Sequence, residues 1–182
     1  MMGLDSLTTS QQRDLMISLR FMPPHMPPET TVGLISLLAS GGFASVIEWG
    51  SGGSTLLAIA MGLPRVISIE NDLNWIEKVT TSAEKHFPER VNRLTTIRRD
   101  LGPTKRWGYP KAAPKRSQID FYSSLPQEAE LPALFIVDGR YRLICAKTAL
   151  LGSNGDSQVF FDDYRVRPHY WGLEVLTTPM AF

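Results

Sequence analysis

One cysteine, Cys145, is all the chain carries, so no internal disulfide can staple the fold. Its three histidines, His25, His86 and His169, show no i, i+4 pairing and have no CxxC partner, which argues against a His/Cys metal site. Charge of either sign is not in excess: 19 Lys and Arg face 18 Asp and Glu, a net +1, so no global field points to nucleic acid or membrane. No apolar run approaches the length of a membrane span, and the opening MMGLDSLTTSQQRD lacks the basic start and apolar core of a signal peptide. There is no internal repeat and no P-loop. What remains is 182 residues, 43% of them hydrophobic, enough for one domain with a real core. A reducing, cytoplasmic setting is the expectation.

What is present concentrates between Ser45 and Asn71. The apolar Val46 and Ile47 lead to Glu48, then through Gly50, Ser51, Gly52 and Gly53 into Ser54, Thr55 and a helical apolar pattern. This reads as strand, bare turn, helix, with Ser54 or Thr55 available as a cap. A turn without side chains lets a ligand approach the outward N–H groups at a helix start. A second apolar run, Val66–Ile69, ends on Glu70, twenty residues beyond Gly50, the spacing of a carboxylate that binds ribose hydroxyls. The dinucleotide fingerprint G-x-G-x-x-G needs a third glycine where Thr55 stands, which weakens a nicotinamide or flavin reading.

Glu48, Gly50, Gly52, Ser54 and Glu70 match residue for residue the E/D-x-G-x-G-x-S/T motif and the second-strand acid of the class I S-adenosylmethionine-dependent methyltransferases, and the chain resembles that superfamily. The blocks WGSGGST (49–55), VDGRYR (137–142) and DDY (162–164) are most similar to bacterial methyltransferase-like proteins of unassigned substrate. The resemblance implies S-adenosyl-L-methionine as cofactor. Glu70 would accept its ribose hydroxyls, the Gly50–Gly53 backbone with Ser51 and Gly52 would pass under its methionine part, Asp100 would lie near its adenine, and Ser54, Thr55 and Asn71 would complete the cofactor site. Glu48 would order the loop or meet the ammonium through water.

The rest of the chain fits an α/β, Rossmann-like arrangement with a mostly parallel sheet and helices on both faces. Helices are expected over Gln11–Phe21, from Glu29 or Thr30 to the stop at Gly41 and Gly42, over Leu73–Phe87 and over Arg142–Leu151. Further strands are expected at Leu94–Ile97, Leu134–Val137 and Val159–Phe161, with Gly172–Thr178 as a sixth. The prolines of MPPHMPP make a rigid connector that closes an N-terminal extension over 1–28. Residues 102–132, rich in Pro, Gly, Lys and Arg and without a sustained period, read as a long insertion between strands 3 and 4 and a candidate substrate lid. The superfamily usually adds a seventh strand. Here it is missing, supplied by a second copy in a homodimer, or absent from this sequence.

Right-handed crossovers would gather the strand ends carrying Glu48, Glu70, Asp100, Asp138 and Asp162 on one edge. Asp138 and Asp163 are then the candidate general base or orienting carboxylates, although each could equally cap a turn. Arg142, with Arg140 and Tyr141, either grips an anionic acceptor or starts a helix paired to an acid. VDGRYR and FFDDY also resemble the metal-dependent O-methyltransferases of the catechol type, which would make Asp138, Asp162 and Asp163 ligands of Mg²⁺. Lys105, Arg106, Lys111, Lys115 and Arg116 interleave with Trp107 and Tyr109 in a way that suits RNA, but a solvated loop is the plainer account. The function expected is methyl transfer to oxygen or nitrogen of a small molecule or sugar. The alternatives are a non-catalytic nucleoside-binding protein and a dinucleotide or nucleotide-sugar enzyme.

Overall fold

The computed structural model describes residues 7–179, the side chain of Trp107 excepted. Five parallel strands form one sheet in the order β3-β2-β1-β4-β5. They are β1 (Ser45–Trp49), β2 (Val66–Glu70), β3 (Leu94–Arg98), β4 (Ala133–Val137) and β5 (Gln158–Phe161). Pairing in register, Ile47 against Ile67 on one side and Phe135 on the other, brings the C-terminal ends of β1, β2 and β4 level. The chain runs outward from β1 to β3, then returns to the opposite side of β1 for β4 and β5. The crevice between β1 and β4 is therefore a topological switch point, where open α/β sheets bind ligands.

Alternation along the strands assigns the two faces. Val46, Val66, Leu134 and Ile136 pack against α1 (Thr9–Phe21), α2 (Pro28–Ser40), α3 (Gly53–Ala60) and α4 (Leu73–His86). Ile47, Trp49, Ile67, Ile69, Phe135 and Val137 pack against α5 (Arg116–Ser123) and α6 (Arg142–Gly152). Helices that follow β1 and β2 cover one face and those that precede or follow β4 cover the other, as right-handed crossovers in opposite directions require. β1 and β4 are buried along their whole length, as the continuous apolar run of β4 requires, and β1 is so although it carries Ser45 and Glu48.

Local signals set the helix ends. Thr8 and Gln11 form a reciprocal cap on α1, Pro28 occupies the first position of α2, and Asp72 accepts the Asn74 N–H at 3.0 Å to start α4. α4 ends on His86, whose ring stacks on Phe21 with centroids 4.0 Å apart. α1 is fastened to the body of the fold by Asp14, which is buried and paired with Arg90 at 2.7 Å. Cys145 is a free, buried thiol on α6.

One expectation is corrected, and one stretch carries more structure than its lack of a period suggests. The 102–132 stretch contains α5, whose Tyr122 is only 1% exposed among the core residues Trp49, Ile69 and Val137. Gly172–Thr178 is not a strand: Pro168–Val175 forms a 3₁₀ helix. Tyr170 and Leu173, three apart, are its buried residues, and that spacing is the 3₁₀ period, in which i and i+3 eclipse.

Candidate active site

The turn between β1 and α3 is buttressed on two sides and open on a third. Gly50 has φ 99°, and a Cβ there would lie 2.6 Å from the backbone of Gly139, so only glycine fits. A Cβ on Gly53 would collide with the backbone of Pro23 and Pro24, so the proline connector is a wedge against the start of α3. At Gly52, by contrast, a Cβ would meet nothing within 4 Å. The bare face of the turn is therefore at Gly52.

Beneath the turn, Glu48 is fully buried. Ser54 and Thr55 donate hydroxyls to its two oxygens, and Ser68 of β2 adds a third hydroxyl at 3.2 Å. Burial pushes the Glu48 carboxyl up to about 7, against the opposing pull of the three hydroxyls. Of the expected roles for Glu48, ordering the loop is the one its contacts match. Ser54 is consequently not a helix cap. Thr55 serves that end differently, its hydroxyl accepting the Gly52 N–H at 2.9 Å. Ser51 is also turned inward, its hydroxyl 2.7 Å from that of Ser68.

Glu70, partly buried at the end of β2, closes the other wall. One oxygen accepts the Ser51 N–H at 3.2 Å; the other accepts the N–H groups of Asn71 at 2.6 Å and Asp72 at 3.0 Å. Burial raises its pKa above the ordinary value while these N–H groups lower it. Asn71 is buried and accepts the Leu101 N–H, which ties the end of β2 to the chain after β3. Asp100 is exposed, accepts the Gly102 N–H at 2.9 Å and lies 3.5 Å from Arg98. Asn71, Asp100 and Gly102 line a cleft of about 370 Å³ between the ends of β2 and β3. The indole N–H of Trp75, one turn into α4, donates to the Ser51 carbonyl and sets a half-exposed ring beside the turn.

Across the switch point the acids meet a cation. Arg142, the first residue of α6 and 8% exposed, follows Tyr141 in the left-handed conformation. Its guanidinium donates to Asp138 Oδ1 at 2.6 Å, Asp162 Oδ2 at 2.9 Å and Asp163 Oδ2 at 3.0 Å, and also to the carbonyls of Asp138, Gly139 and Asp162. Burial holds the Asp138 carboxyl well above the usual range despite Arg142, and Asp162, with which it hydrogen-bonds, pushes the same way. Asp162 Oδ1 is buried without a partner among the described residues. A proton carried by Asp138 toward Asp162 would satisfy both groups.

This geometry decides how Arg142 is used and tests the ion expected from the catechol-type resemblance. Asp138, Asp162 and Asp163 do converge, as the sequence implies, but around a guanidinium. A resident Mg²⁺ would need the same oxygens and would lie against a fixed positive charge, so the donor set does not fit one. Among the described residues no group of three or more His, Cys, Asp or Glu side chains is arranged to hold a metal. Of the two arrangements expected for Arg142, its contacts match the helix-start arginine paired to acids.

Several contributors had no sequence motif: Ser68 under the turn, the Pro23–Pro24 wedge, Trp75, and Tyr122, whose hydroxyl accepts the Arg140 N–H at 3.3 Å. Of these, Trp75 carried a signal, an aromatic one turn into the helix that follows the ribose-spaced acid. The side chain of Trp107, weighed for base stacking, lies outside the described residues.

The sheet order and the switch-point turn are those of the Rossmann-like class I methyltransferase fold. Solved structures of methyltransferases and of a methyltransferase-like protein match the chain. A methyltransferase-like protein from Silicibacter pomeroyi is 28% identical, with a TM-score of 0.73 over 87% of this chain and 83% of that one. An S-adenosylhomocysteine-bound methyltransferase from Podospora anserina is 14% identical, with a TM-score of 0.54 over 93% of this chain and 76% of its own. The O-methyltransferase TomG of Streptomyces achromogenes, solved with S-adenosylmethionine, is 15% identical, with a TM-score of 0.50 over 94% and 77%. No protein-family model matches the chain. No curated protein matches it either. Among the described residues no helix is long and apolar enough to cross a membrane.

Proposed function

We propose that the protein transfers a methyl group from S-adenosylmethionine to oxygen or nitrogen of a small molecule. The observation that carries this reading is the pairing of an open turn at Gly52 with the Glu70 carboxylate, which is held against the same turn by the Ser51 N–H. A glycine turn needed only for helix packing would be filled on every side, and this one is filled at Gly50 and Gly53 alone.

The bound cofactor would supply an electrophilic methyl on a sulfonium, poised for in-line displacement. The chain's own work is then alignment, which contributes up to roughly 7–11 kcal/mol when orientation is ideal. Glu70 keeps lone-pair capacity beyond its three N–H donors and accepts the ribose hydroxyls. The backbone at Gly50–Gly53 passes under the methionine part, Glu48 fixes that backbone through Ser54 and Thr55, and the Trp75 ring and the Asp100 cleft border the base. Asp138 and Asp163, bound to Arg142, orient the end of β4 beside Gly50. An acceptor hydroxyl needs a proton acceptor, and Asp163, the more exposed of the two, is better placed for it than Asp138, whose environment favours the protonated form.

Calorimetry with S-adenosylhomocysteine and with NAD tests the reading: tight binding of the first and none of the second is expected, and the reverse would move the protein to dinucleotide chemistry. The engagement of Asp138, Asp162 and Asp163 by Arg142 favours one second reading, a nucleoside-binding protein without turnover. Release of S-adenosylhomocysteine in the presence of candidate acceptors separates the two.

A further inference from the structure

Three strand-end segments meet beside the turn and bring cations together with a phenol. Tyr109 sits in the loop after β3, where a Thr104–Pro110 bridge and a 2.6 Å bond from the Lys105 N–H to its carbonyl fix the backbone. Arg140 follows β4, with its N–H on the Tyr122 hydroxyl at 3.3 Å and its guanidinium 4.2 Å from the centre of the Tyr109 ring. Arg167 follows β5, anchored by Asp163 at 2.6 Å. Arg140, and to a smaller extent Arg167, hold the Tyr109 phenol below its ordinary value by charge and hydrogen bonding. The neighbouring residue, Gly139, is the one that abuts Gly50, so this cluster adjoins the open turn.

The charges around it do not cancel. Arg140, Arg142 and Arg167 stand against Asp138, Asp162 and Asp163. Arg142 engages all three acids and Arg167 shares Asp163, whereas no carboxylate among the described residues lies within salt-bridge distance of Arg140. Where Asp138 keeps its proton, the group carries a net positive charge, with Arg140 and Arg167 only partly buried and Tyr109 48% exposed. Two guanidinium forks and a hydroxyl donor at a solvent-facing opening are the recognition set of an oxyanion.

We propose that Arg140 and Arg167, with the Tyr109 hydroxyl between them, bind an oxyanion, a carboxylate or phosphate group carried by the methyl acceptor. Assignment to the acceptor rests on the methyltransferase reading; the oxyanion site itself does not. It also explains why a half-exposed tyrosine is held against the Arg140 guanidinium: a bound anion gains the phenol proton as a third donor.

The test is calorimetric titration of the full chain with inorganic phosphate and, separately, acetate. Ionic strength is held constant with sodium chloride, and each titration is run with and without saturating S-adenosylhomocysteine. One site is expected for at least one of the two anions. Arg140→Gln and Arg167→Gln should each weaken it about tenfold, the loss of one charge-assisted bond. Tyr109→Phe should weaken it less, and S-adenosylhomocysteine affinity should stay within about twofold throughout. A preference for phosphate or for acetate supports the site and names the acceptor's group. Binding no tighter than chloride, or equal binding by wild type and both glutamine variants, overturns the proposal. A glutamine variant with an altered melting curve is replaced by the lysine variant, which keeps the charge but loses the fork and should still bind less tightly than wild type. If wild type binds phosphate or acetate but not S-adenosylhomocysteine, the methyltransferase reading falls and the oxyanion site stands.

Discussion

The two halves of the strand-end rim solve the same electrostatic problem in opposite ways. On the β1–β2 side, Glu48 and Glu70 are stabilised by neutral donors, three hydroxyls for the first and three backbone N–H groups for the second. On the β4–β5 side, Asp138, Asp162 and Asp163 share one buried guanidinium. Neutral donors leave an acid's charge in place for a ligand to use, while burial, which they only partly offset, raises its pKa. An internal cation consumes that charge and fixes the loops instead. A rim of five acids is therefore not five equivalent ligand contacts, and the identity of the partner decides which side recognises and which side holds shape.

The largest expected effect follows from removing the cation. Arg142→Met should destabilise the protein by about 3–5 kcal/mol at pH 8, because it leaves Asp138 and Asp162 without their cation and Asp163 with Arg167 alone. The loss should shrink at pH 5, where the carboxylates can take up protons. Urea unfolding at both pH values measures it. A cost below about 1 kcal/mol at pH 8 would mean that the β4–β5 acids are solvated after all and that the contrast between the sides is not real.

The neutral-donor side makes a different prediction with pH. Glu48 titrates near 7 when folded and near 4.5 when unfolded, so the folded state holds the extra proton between these values. Stability carried by this group is complete below about pH 4.5 and declines as pH rises, by up to about 3 kcal/mol at pH 7 and above. Asp138 and Glu70, also raised, act in the same direction. Glu48→Gln should remove the Glu48 share, flattening the profile of urea midpoints between pH 5 and pH 7.5. An unchanged slope would move the charge cost away from the hydroxyl-lined turn.

How much of this was legible beforehand depended on whether a residue's role is local. The turn, its acid at Glu48 and the acid at Glu70 could be read because glycine placement and strand periodicity are short-range signals, and the structure brings these residues together as expected. α5 was missed because one residue anchors it: Tyr122 is buried while its neighbour Phe121 is 59% exposed, and eight residues offer too few turns for a period to show. The segment Gly172–Thr178 alternates enough to resemble a strand until the burial of Tyr170 and Leu173 in the 3₁₀ helix Pro168–Val175 reveals a spacing of three. Arg142 was ambiguous for a physical reason. Whether an arginine faces an acceptor or three acids depends on the ends of β4 and β5 being adjacent, which only the sheet order establishes.

A smaller effect, on binding and not on folding, sharpens the β1–β2 side. Glu70→Ala should weaken S-adenosylhomocysteine binding by about 1–3 kcal/mol, since ligand hydroxyls lose a charged acceptor. Calorimetry on variant and wild type reads it directly. Unchanged affinity would leave Glu70 as a brace for the Ser51 and Asn71 N–H groups only.

The smallest expected effect is none at all, and it tests the β4–β5 side without mutation. A divalent ion bound at a hundredfold excess over its Kd would add about 2.7 kcal/mol, roughly 5–10 °C in melting temperature for a chain of this size. With Arg142 occupying the aspartates, Mg²⁺ and EDTA at matched ionic strength should give the same wild-type midpoint. The same pair of measurements on Arg142→Met should diverge, because Asp138 and Asp162 are then free of the guanidinium and can gather around an ion with Asp163, which Arg167 alone still pairs. Should Mg²⁺ raise the wild-type midpoint instead, the guanidinium must leave its acids to admit the metal, and the two sides of the rim would differ in occupancy and not in design.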